Sequence, residues 1–463
     1  MTTPQPPHRY GFLLFDDVET PDAAYCAIAG SKATRIDSVS ELPTDVLWWS
    51  NLPYAAFSHP AIGNMSNLRY SKFLTISPEE CVMEWGFNPA SLSRPDFTTF
   101  VSRLFSRIMT ISFVLMSEID RRKHPHAIFS ARELRFDFAS VMPRQDYPDG
   151  EAATILKAGY SYVDFTGAAR LPMRGVPRVM LRRPRLAHAI DMFLSPIPKG
   201  NLKFVRNGAK DVYDAIEAKV PMLSEVVVSN VNPHIAPVFA YGHSMNKKNK
   251  VMRAWVPHPE LISLSAFSEI EVKNAWVGED YCRLVDIVPD PVRRFLMSDH
   301  ATLSWSAGLI AETLWRSQCI RNQRPPAPGV EQPDASWIGA WLKSTDKVLS
   351  FLSVFDVEVA SGIPVSSYGF GYGWFSCPAN QINDLITTAA SRGMSPRLNC
   401  VPADFIWNPS AWKGDTKSAV LTTFMMQRQI GACLNLDRIM LAAEGDRQAV
   451  MADILKQIQS VAK

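Results

Sequence analysis

The sequence predicts an α+β fold that is rich in helix, and three observations point to it. A long segment after Asp96 carries apolar residues at three- and four-residue spacing, which is typical of an amphipathic helix. β-branched runs such as MLSEVVVSNV (222–231) are typical of strands. Frequent prolines divide the first 95 residues into short pieces, which favours strands and turns there. We expect short strands in the N-terminal and central regions and a mainly helical C-terminal third.

The N-terminal region, residues 1–95, contains GFLLFDDVET (11–20), an apolar run that ends in Asp16, Asp17 and Glu19. We interpret it as a buried strand that ends at a charged turn. A central helix is predicted at about 96–122, with Asp96 as its N-cap. Its buried stripe is predicted to contain Phe97, Phe100, Val101, Leu104, Phe105 and Ile108.

The rest of the chain divides at a proline-rich linker, residues 321–333, into a mixed region (96–320) and a helical region (334–463). Predicted strands of the mixed region are 129–141, 222–231 and 282–288. Predicted helices after the central one are 211–219, 301–320, 335–354, 380–392, 417–433 and 446–461.

Composition and length exclude several classes of protein. The chain has 463 residues, of which 47% are apolar and 20% charged, as in folded proteins rather than disordered ones. Its seven cysteines form no CxxC pair, which disfavours a disulfide framework or a structural zinc site. The uncharged run IMTISFVLMS is too short to cross a bilayer, and the N-terminus has no signal-peptide pattern. We expect an intracellular, cytoplasmic protein with no membrane partner.

Charge is distributed unevenly along the chain. The net charge is +3, yet Phe165 to Arg253 contains fifteen Lys and Arg against five Asp and Glu. Candidate nucleic-acid-binding residues in this basic segment are Arg170, Arg174, Arg178, Arg182, Arg183, Arg185, Lys247, Lys248, Lys250 and Arg253. Clustered cations bind a phosphate backbone without reading its sequence. In the alternative interpretation, these charges pair with acidic surface elsewhere or with an acidic neighbouring subunit.

A second hypothesis concerns Asp17 and Glu19, whose spacing resembles the Asp-x-Glu that nucleases and polymerase proofreading domains place at the end of a first strand. Two carboxylates on one strand face can share Mg²⁺ and orient an attacking water. Such a site needs carboxylates from later strands, for which the candidates are Asp137, Asp164 and Asp286. A second Asp-Val-Glu, Asp356 to Glu358, lies at the expected end of a helix, so the triplet also arises without a site.

The segment SSYGFGYGWFSC (366–377) alternates glycine with aromatic residues. It lacks the spacing of a dinucleotide-binding loop or a P-loop. We predict a tight turn or strand pair packed by Tyr368, Phe370, Tyr372 and Trp374; stacking on bases or sugars is the alternative. His124 and His126 have no evident third ligand, so we expect no metal and no cofactor.

These observations favour a self-assembling structural protein over an enzyme. The leading hypothesis is a viral coat (capsid) subunit that forms homo-oligomers and contacts RNA non-specifically through the basic segment. In size and composition the chain resembles the α-rich capsid proteins of small double-stranded RNA viruses, which implies a place in the virion. The alternative is a Mg²⁺-dependent nuclease or related nucleic-acid enzyme that uses Asp17 and Glu19.

Overall fold

The structure is a computed structural model. Helices make up 44% and strands 33% of its described residues, which confirms the α+β class. The described residues are 9–29, 31–71, 76–84, 89, 92–119, 165–166, 176–183, 185–206, 220–230, 245–246, 251–265, 268–287, 293–294, 308–309, 311–312, 315–316 and 337–396. Outside them lie the predicted elements at 129–141, 211–219, 417–433 and 446–461 and the linker 321–333. Within 301–320, the few described residues are helical. No described helix is long and apolar enough to cross a membrane.

The N-terminal sheet has the strand order β3-β2-β1-β4-β5. Its strands are β1 (Arg9–Phe15), β2 (Ala24–Ile28), β3 (Thr34–Ile36), β4 (Val46–Ser50) and β5 (Leu68–Arg69). β1 is antiparallel to β2 and parallel to β4. Tyr10, Phe12 and Leu14 alternate with Leu13 and Phe15, and the two sets belong to hydrophobic cores on opposite faces of the sheet. The predicted buried strand is therefore confirmed.

Short helices α1 (Pro60–Gly63) and α2 (Pro78–Glu84) precede the long helix α3 (Arg94–Ile119), which confirms the predicted central helix. Its buried stripe packs on one face of the N-terminal sheet, while Phe100 is only half-buried. The N-cap prediction was wrong. Ser93, not Asp96, caps α3, because the Ser93 hydroxyl accepts the Asp96 N–H at 3.3 Å and donates to the Asp96 carboxylate.

The second sheet is antiparallel and has the order β10-β11-β9-β12-β8. Its strands are β8 (Pro196–Arg206), β9 (Met222–Ser229), β10 (Met245–Asn246), β11 (Val251–Pro257) and β12 (Glu269–Arg283). β9 confirms the strand predicted at 222–231. The strand predicted at 282–288 was wrong: β12 ends at Arg283 and the helical turn α6 (Leu284–Ile287) follows. Asp286 accepts the Arg283 N–H at 3.2 Å, and this cap outweighs the weak strand preference of β-branched residues.

The third sheet has the order β15-β7-β14-β13-β6 and joins distant parts of the chain. Its strands are β6 (Phe165–Thr166), β7 (Arg178–Arg182), β13 (Val365–Gly369), β14 (Tyr372–Ser376) and β15 (Ser395–Pro396). β13 and β14 form a hairpin whose turn is Phe370–Gly371. The strand pair predicted for SSYGFGYGWFSC is therefore confirmed.

Four further helices complete the described fold: α4 (Arg185–Leu194), α5 (His258–Ser265), α7 (Trp337–Ser361) and α8 (Ile382–Ser391). α7 and α8 confirm the helices predicted at 335–354 and 380–392. One hydrophobic core joins the second sheet, the third sheet, α5, α7 and α8. The first part of α7 is buried on all sides, so its polar residues must find partners inside the protein.

Candidate functional site

The carboxylates after β1 lie where the carboxyl ends of the parallel strands β1 and β4 meet. Asn51, which follows β4, accepts the Phe15 N–H at 2.9 Å and donates to the Phe15 carbonyl at 3.2 Å. Asp16 pairs with Arg35 at 2.7 Å and with Arg94 at 2.9 Å. These contacts fix the path of the chain as it leaves the strand and neutralise the first carboxylate.

Asp17 forms the turn itself. Its carboxylate accepts the Glu19 N–H at 2.8 Å and the Thr20 hydroxyl at 2.6 Å. The Thr20 hydrogen bond, followed by the Glu19 N–H, lowers the pKa of Asp17. This is the side-chain geometry of a turn-forming Asp, and it confirms the charged turn predicted after the strand.

A metal site at Asp17 and Glu19 needs a further carboxylate close by. Asp286 is engaged by the Arg283 guanidinium at 2.8 Å, and Asp137 and Asp164 lie outside the described residues. Among the described residues, no group of three or more His, Cys, Asp or Glu is placed to hold a metal ion. The nuclease hypothesis therefore stays a prediction. Asp356 pairs with Arg392 at 3.1 Å, within α7 near its end.

The basic segment contributes a buried cluster of charges. Arg182 at the end of β7 and Arg185 at the start of α4 both donate to Glu312, to which Arg316 also pairs at 3.0 Å. Arg182, Arg185 and Glu312 are buried. We call these four residues the Glu312 cluster. Arg182 and Arg185 are therefore not exposed for contact with a phosphate, and their charges pair with a buried carboxylate.

Electrostatics within the Glu312 cluster are dominated by burial and by the excess of cations. Burial, together with the neighbouring Arg185, lowers the pKa of Arg182 to about 10. Burial alone would raise the pKa of Glu312, but the three guanidinium groups lower it well below its usual range. Arg182 and Glu312 are therefore both charged at neutral pH.

A second buried polar group, His188 with Asp346, lies next to Arg183. The Arg183 guanidinium bonds His188 Nδ1 at 2.8 Å and Asp191 at 2.6 Å, and His188 Nε2 lies 2.9 Å from Asp346 Oδ1. Because a guanidinium only donates, Nδ1 must accept and Nε2 must carry the proton that is donated to Asp346. His188 is therefore a neutral imidazole whose tautomer is fixed by its two partners.

Acidification is expected to destabilise this region through His188. Burial lowers its pKa below 6.5, despite the opposing hydrogen bond to Asp346. The unfolded chain takes up the proton below pH 6.5 while the folded chain does not, so stability is full above 6.5 and falls as the pH drops toward the folded pKa. The free energy of unfolding should therefore be lower at pH 5.5 than at pH 7.5, by at most about 1.4 kcal/mol from this residue. Urea denaturation at both pH values measures this difference in the free energy of unfolding. The variant His188→Gln should lack that part of the pH dependence. An equal pH dependence in the variant would show that His188 is not its source.

The turn of the β13–β14 hairpin lies against these charged groups. Phe370 has φ 52° and Gly371 has φ 76°, a left-handed conformation that is costly for a bulky residue such as phenylalanine. All four backbone polar groups of the turn are bonded: Phe370 N–H to Asp346 (2.7 Å), Gly371 N–H to Ser350 (2.9 Å), Phe370 O to Arg316 (3.1 Å) and Gly371 O to Arg183 N–H (2.7 Å). The Lys343 ammonium lies 3.7 Å from the Phe370 ring centroid. The surroundings therefore hold the strained turn in place.

The exposed cations of the basic segment lie on β7 and β8. Arg178 stacks on Trp374 with its guanidinium 4.5 Å from the ring centroid. Lys199, Lys203 and Arg206 are exposed along β8, the outermost strand of the second sheet among the described residues. Of the remaining candidates, Arg170, Arg174, Lys247, Lys248 and Lys250 lie outside the described residues, and Arg253 lies in β11 with its side chain not described.

An aromatic pair lies beside the exposed cations of β8. Phe204 is 37% exposed and lies directly opposite Trp276 of β12, with the ring centroids 5.1 Å apart. The Arg206 guanidinium lies 6.0 Å from the Phe204 centroid. We call Phe204, Arg206 and Trp276 the β8–β12 aromatic face. Sequence reasoning missed it, although the alternation in KFVR (203–206) places Phe204 and Arg206 on one face of a strand.

Comparison with protein-family models and with curated proteins finds no match. Among solved structures, the chain is similar to Phi29 DNA polymerase in an orthorhombic crystal form (8% identity, TM-score 0.41) and in a complex with single-stranded DNA (10%, 0.41), with 82% of each chain covered. Its complex with primer-template DNA gives 8% identity and a TM-score of 0.39 over 80% of each chain. A TM-score below 0.5 at such identity does not establish a shared fold family or a shared function.

Proposed function

We propose that this protein is a structural, nucleic-acid-binding protein, a coat subunit that assembles with copies of itself and contacts RNA without sequence preference. One observation carries the nucleic-acid contact, while the proposed self-assembly rests on the size and composition of the chain. The structure describes the side chains of seven cations in the basic segment. Three of them, Arg182, Arg183 and Arg185, are engaged in the buried groups. The other four are exposed on β7 and β8: Arg178, Lys199, Lys203 and Arg206. The basic segment thus presents positive charge to solvent even after Arg182 and Arg185 are assigned to the Glu312 cluster.

The three cations of β8 are suited to a phosphate backbone. They lie on one extended strand, along which residues rise about 3.3 Å each. Lys203 and Arg206 point to opposite faces of it, so a phosphate backbone that runs along the strand edge can meet both. Each neutralised phosphate releases counterions, which makes the affinity dependent on salt and not on base sequence. This matches the kind of contact that a shell protein makes with an enclosed RNA.

Salt dependence tests the contact. We expect the triple variant Lys199→Gln, Lys203→Gln, Arg206→Gln to bind an unstructured RNA oligonucleotide more weakly. The slope of log K against log salt should become shallower by about 2, since each contact to a single strand contributes about 0.7. Fluorescence anisotropy between 50 and 200 mM salt, the range over which such contacts weaken strongly, measures both quantities.

The matched control removes three exposed cations outside the basic segment: Arg9→Gln, Lys32→Gln and Arg392→Gln. It changes the net charge equally and should leave the slope unchanged. Equal effects of the two variants would contradict a local contact. Size-exclusion chromatography with light scattering of the wild-type protein measures its assembly. We expect megadalton particles that contain nuclease-protected nucleic acid. A monomer that binds no RNA at low salt would overturn the proposal.

A further inference from the structure

We infer that the β8–β12 aromatic face is a stacking platform for unpaired bases, so that the ligand class is single-stranded nucleic acid. This inference rests on the proposed function and assigns a second chemical role to the same strand. Phe204 is one of few large apolar side chains in the described part of the chain that is more than a third exposed, and it lies within the basic segment.

The geometry brings a base-binding group and a phosphate-binding group together. Phe204 and Arg206 are two residues apart on β8 and therefore share one face of the strand. Trp276 shares that face because it is the direct cross-strand partner of Phe204. The two rings are tilted by 53° rather than stacked flat, so they do not cover each other's faces completely.

The opposite face of the same sheet is occupied by the protein core. Ala275 is buried in that core and Val277 packs against it, on either side of Trp276 in the sequence. Phe204 and Trp276 therefore lie on the face away from this core. Leu223, the β9 partner of Trp276 on that face, is buried, whereas Phe204 lies on β8, the outermost described strand of the sheet, and is 37% exposed. A ligand can reach Phe204 from the sheet face and can reach the exposed Lys203 from the strand edge.

Stacking selects single strands over duplexes. Every base has a π-face, so an aromatic side chain accepts any base, but the bases of a duplex are already stacked on their neighbours. A flat ring on a strand can therefore bind only a base that has left its stack or was never paired. Arg206 adds a cation beside the ring, where it can meet the phosphate of the stacked nucleotide.

The test compares an unstructured RNA oligonucleotide with a duplex of the same length, using full-length protein and Phe204→Leu. Leucine keeps the apolar volume and removes the π-face. We expect the variant to lose about 5- to 150-fold in affinity for the single strand, with duplex affinity and the salt slope unchanged. Phe204→Tyr keeps the ring and should bind as the wild type does, which separates loss of stacking from loss of folding.

Tyr54→Leu is the matched control, because Tyr54 is an aromatic residue that is 76% exposed outside the basic segment. It should change neither affinity. If Phe204→Leu binds the single strand normally while the β8 cation variant does not, stacking is overturned and the proposed function stands. A wild-type protein that binds the duplex as tightly as the single strand would also overturn the inference, whereas binding to neither would overturn the proposed function.

Discussion

Replacing Glu312 with glutamine is expected to lower the free energy of unfolding by about 3 to 5 kcal/mol, the range found when one partner of a buried ion pair is removed. Arg182, Arg185 and Arg316 all pair with this one carboxylate. Without its charge, three guanidinium groups remain close together, and two of them, Arg182 and Arg185, are buried. Urea denaturation at pH 7 measures the loss.

The control for Glu312→Gln is Glu19→Gln, the same chemical change at an exposed position. It should alter stability by less than about 0.5 kcal/mol. A loss below about 1 kcal/mol for Glu312→Gln would mean that the arginines find water or another anion when the carboxylate is neutralised.

Gly371→Ala is expected to cost about 2 to 5 kcal/mol of stability, from two separate causes. At φ 76° an added Cβ is strained, which costs about 1 to 2 kcal/mol. That Cβ would also lie 2.9 Å from the His188 ring, and such overpacking costs about 1 to 3 kcal/mol. His188 cannot move aside without breaking its bonds to Arg183 and Asp346.

Gly362 supplies the matched control for Gly371. Its φ is 69°, nearly the same, but a Cβ there would meet no atom within 4 Å. Gly362→Ala should therefore show the backbone cost alone, and the difference between the two variants in urea denaturation isolates the contact with His188. Equal losses would indicate that the imidazole yields and that the turn is less firmly held than its hydrogen bonds indicate.

Elements defined by local pattern could be predicted from the sequence. The stripe from Phe97 to Ile108 repeats at helical spacing, so α3 was found within a few residues of its ends. The β13–β14 hairpin was found because glycine permits the backbone of a tight turn and the flanking aromatic residues favour strands. In both cases the residues that determine the structure are neighbours in the sequence.

The candidate site could be predicted only in part, because its contacts join distant residues. Arg182 and Arg185 look like surface cations until Glu312 is placed beside them, and 130 positions separate Arg182 from Glu312. Likewise, nothing near Phe204 in the sequence identifies Trp276 as its partner. The strand prediction at 282–288 was wrong for a local reason. One hydrogen bond from the Arg283 N–H to Asp286 outweighed the strand preference of the residues around it.

The long sequence separation of the residues that meet in the buried groups also determines the order of events on the ribosome. β7 and α4 are made long before their partners, since His188 and Asp346 are 158 positions apart. At about 5 to 20 residues per second, roughly 10 to 30 s separate the synthesis of the two residues. Until Glu312 has been synthesised, Arg182 and Arg185 have no access to the carboxylate that pairs with them in the folded protein. The burial of these two arginines in the Glu312 cluster is therefore a late step that cannot occur before Glu312 has been synthesised.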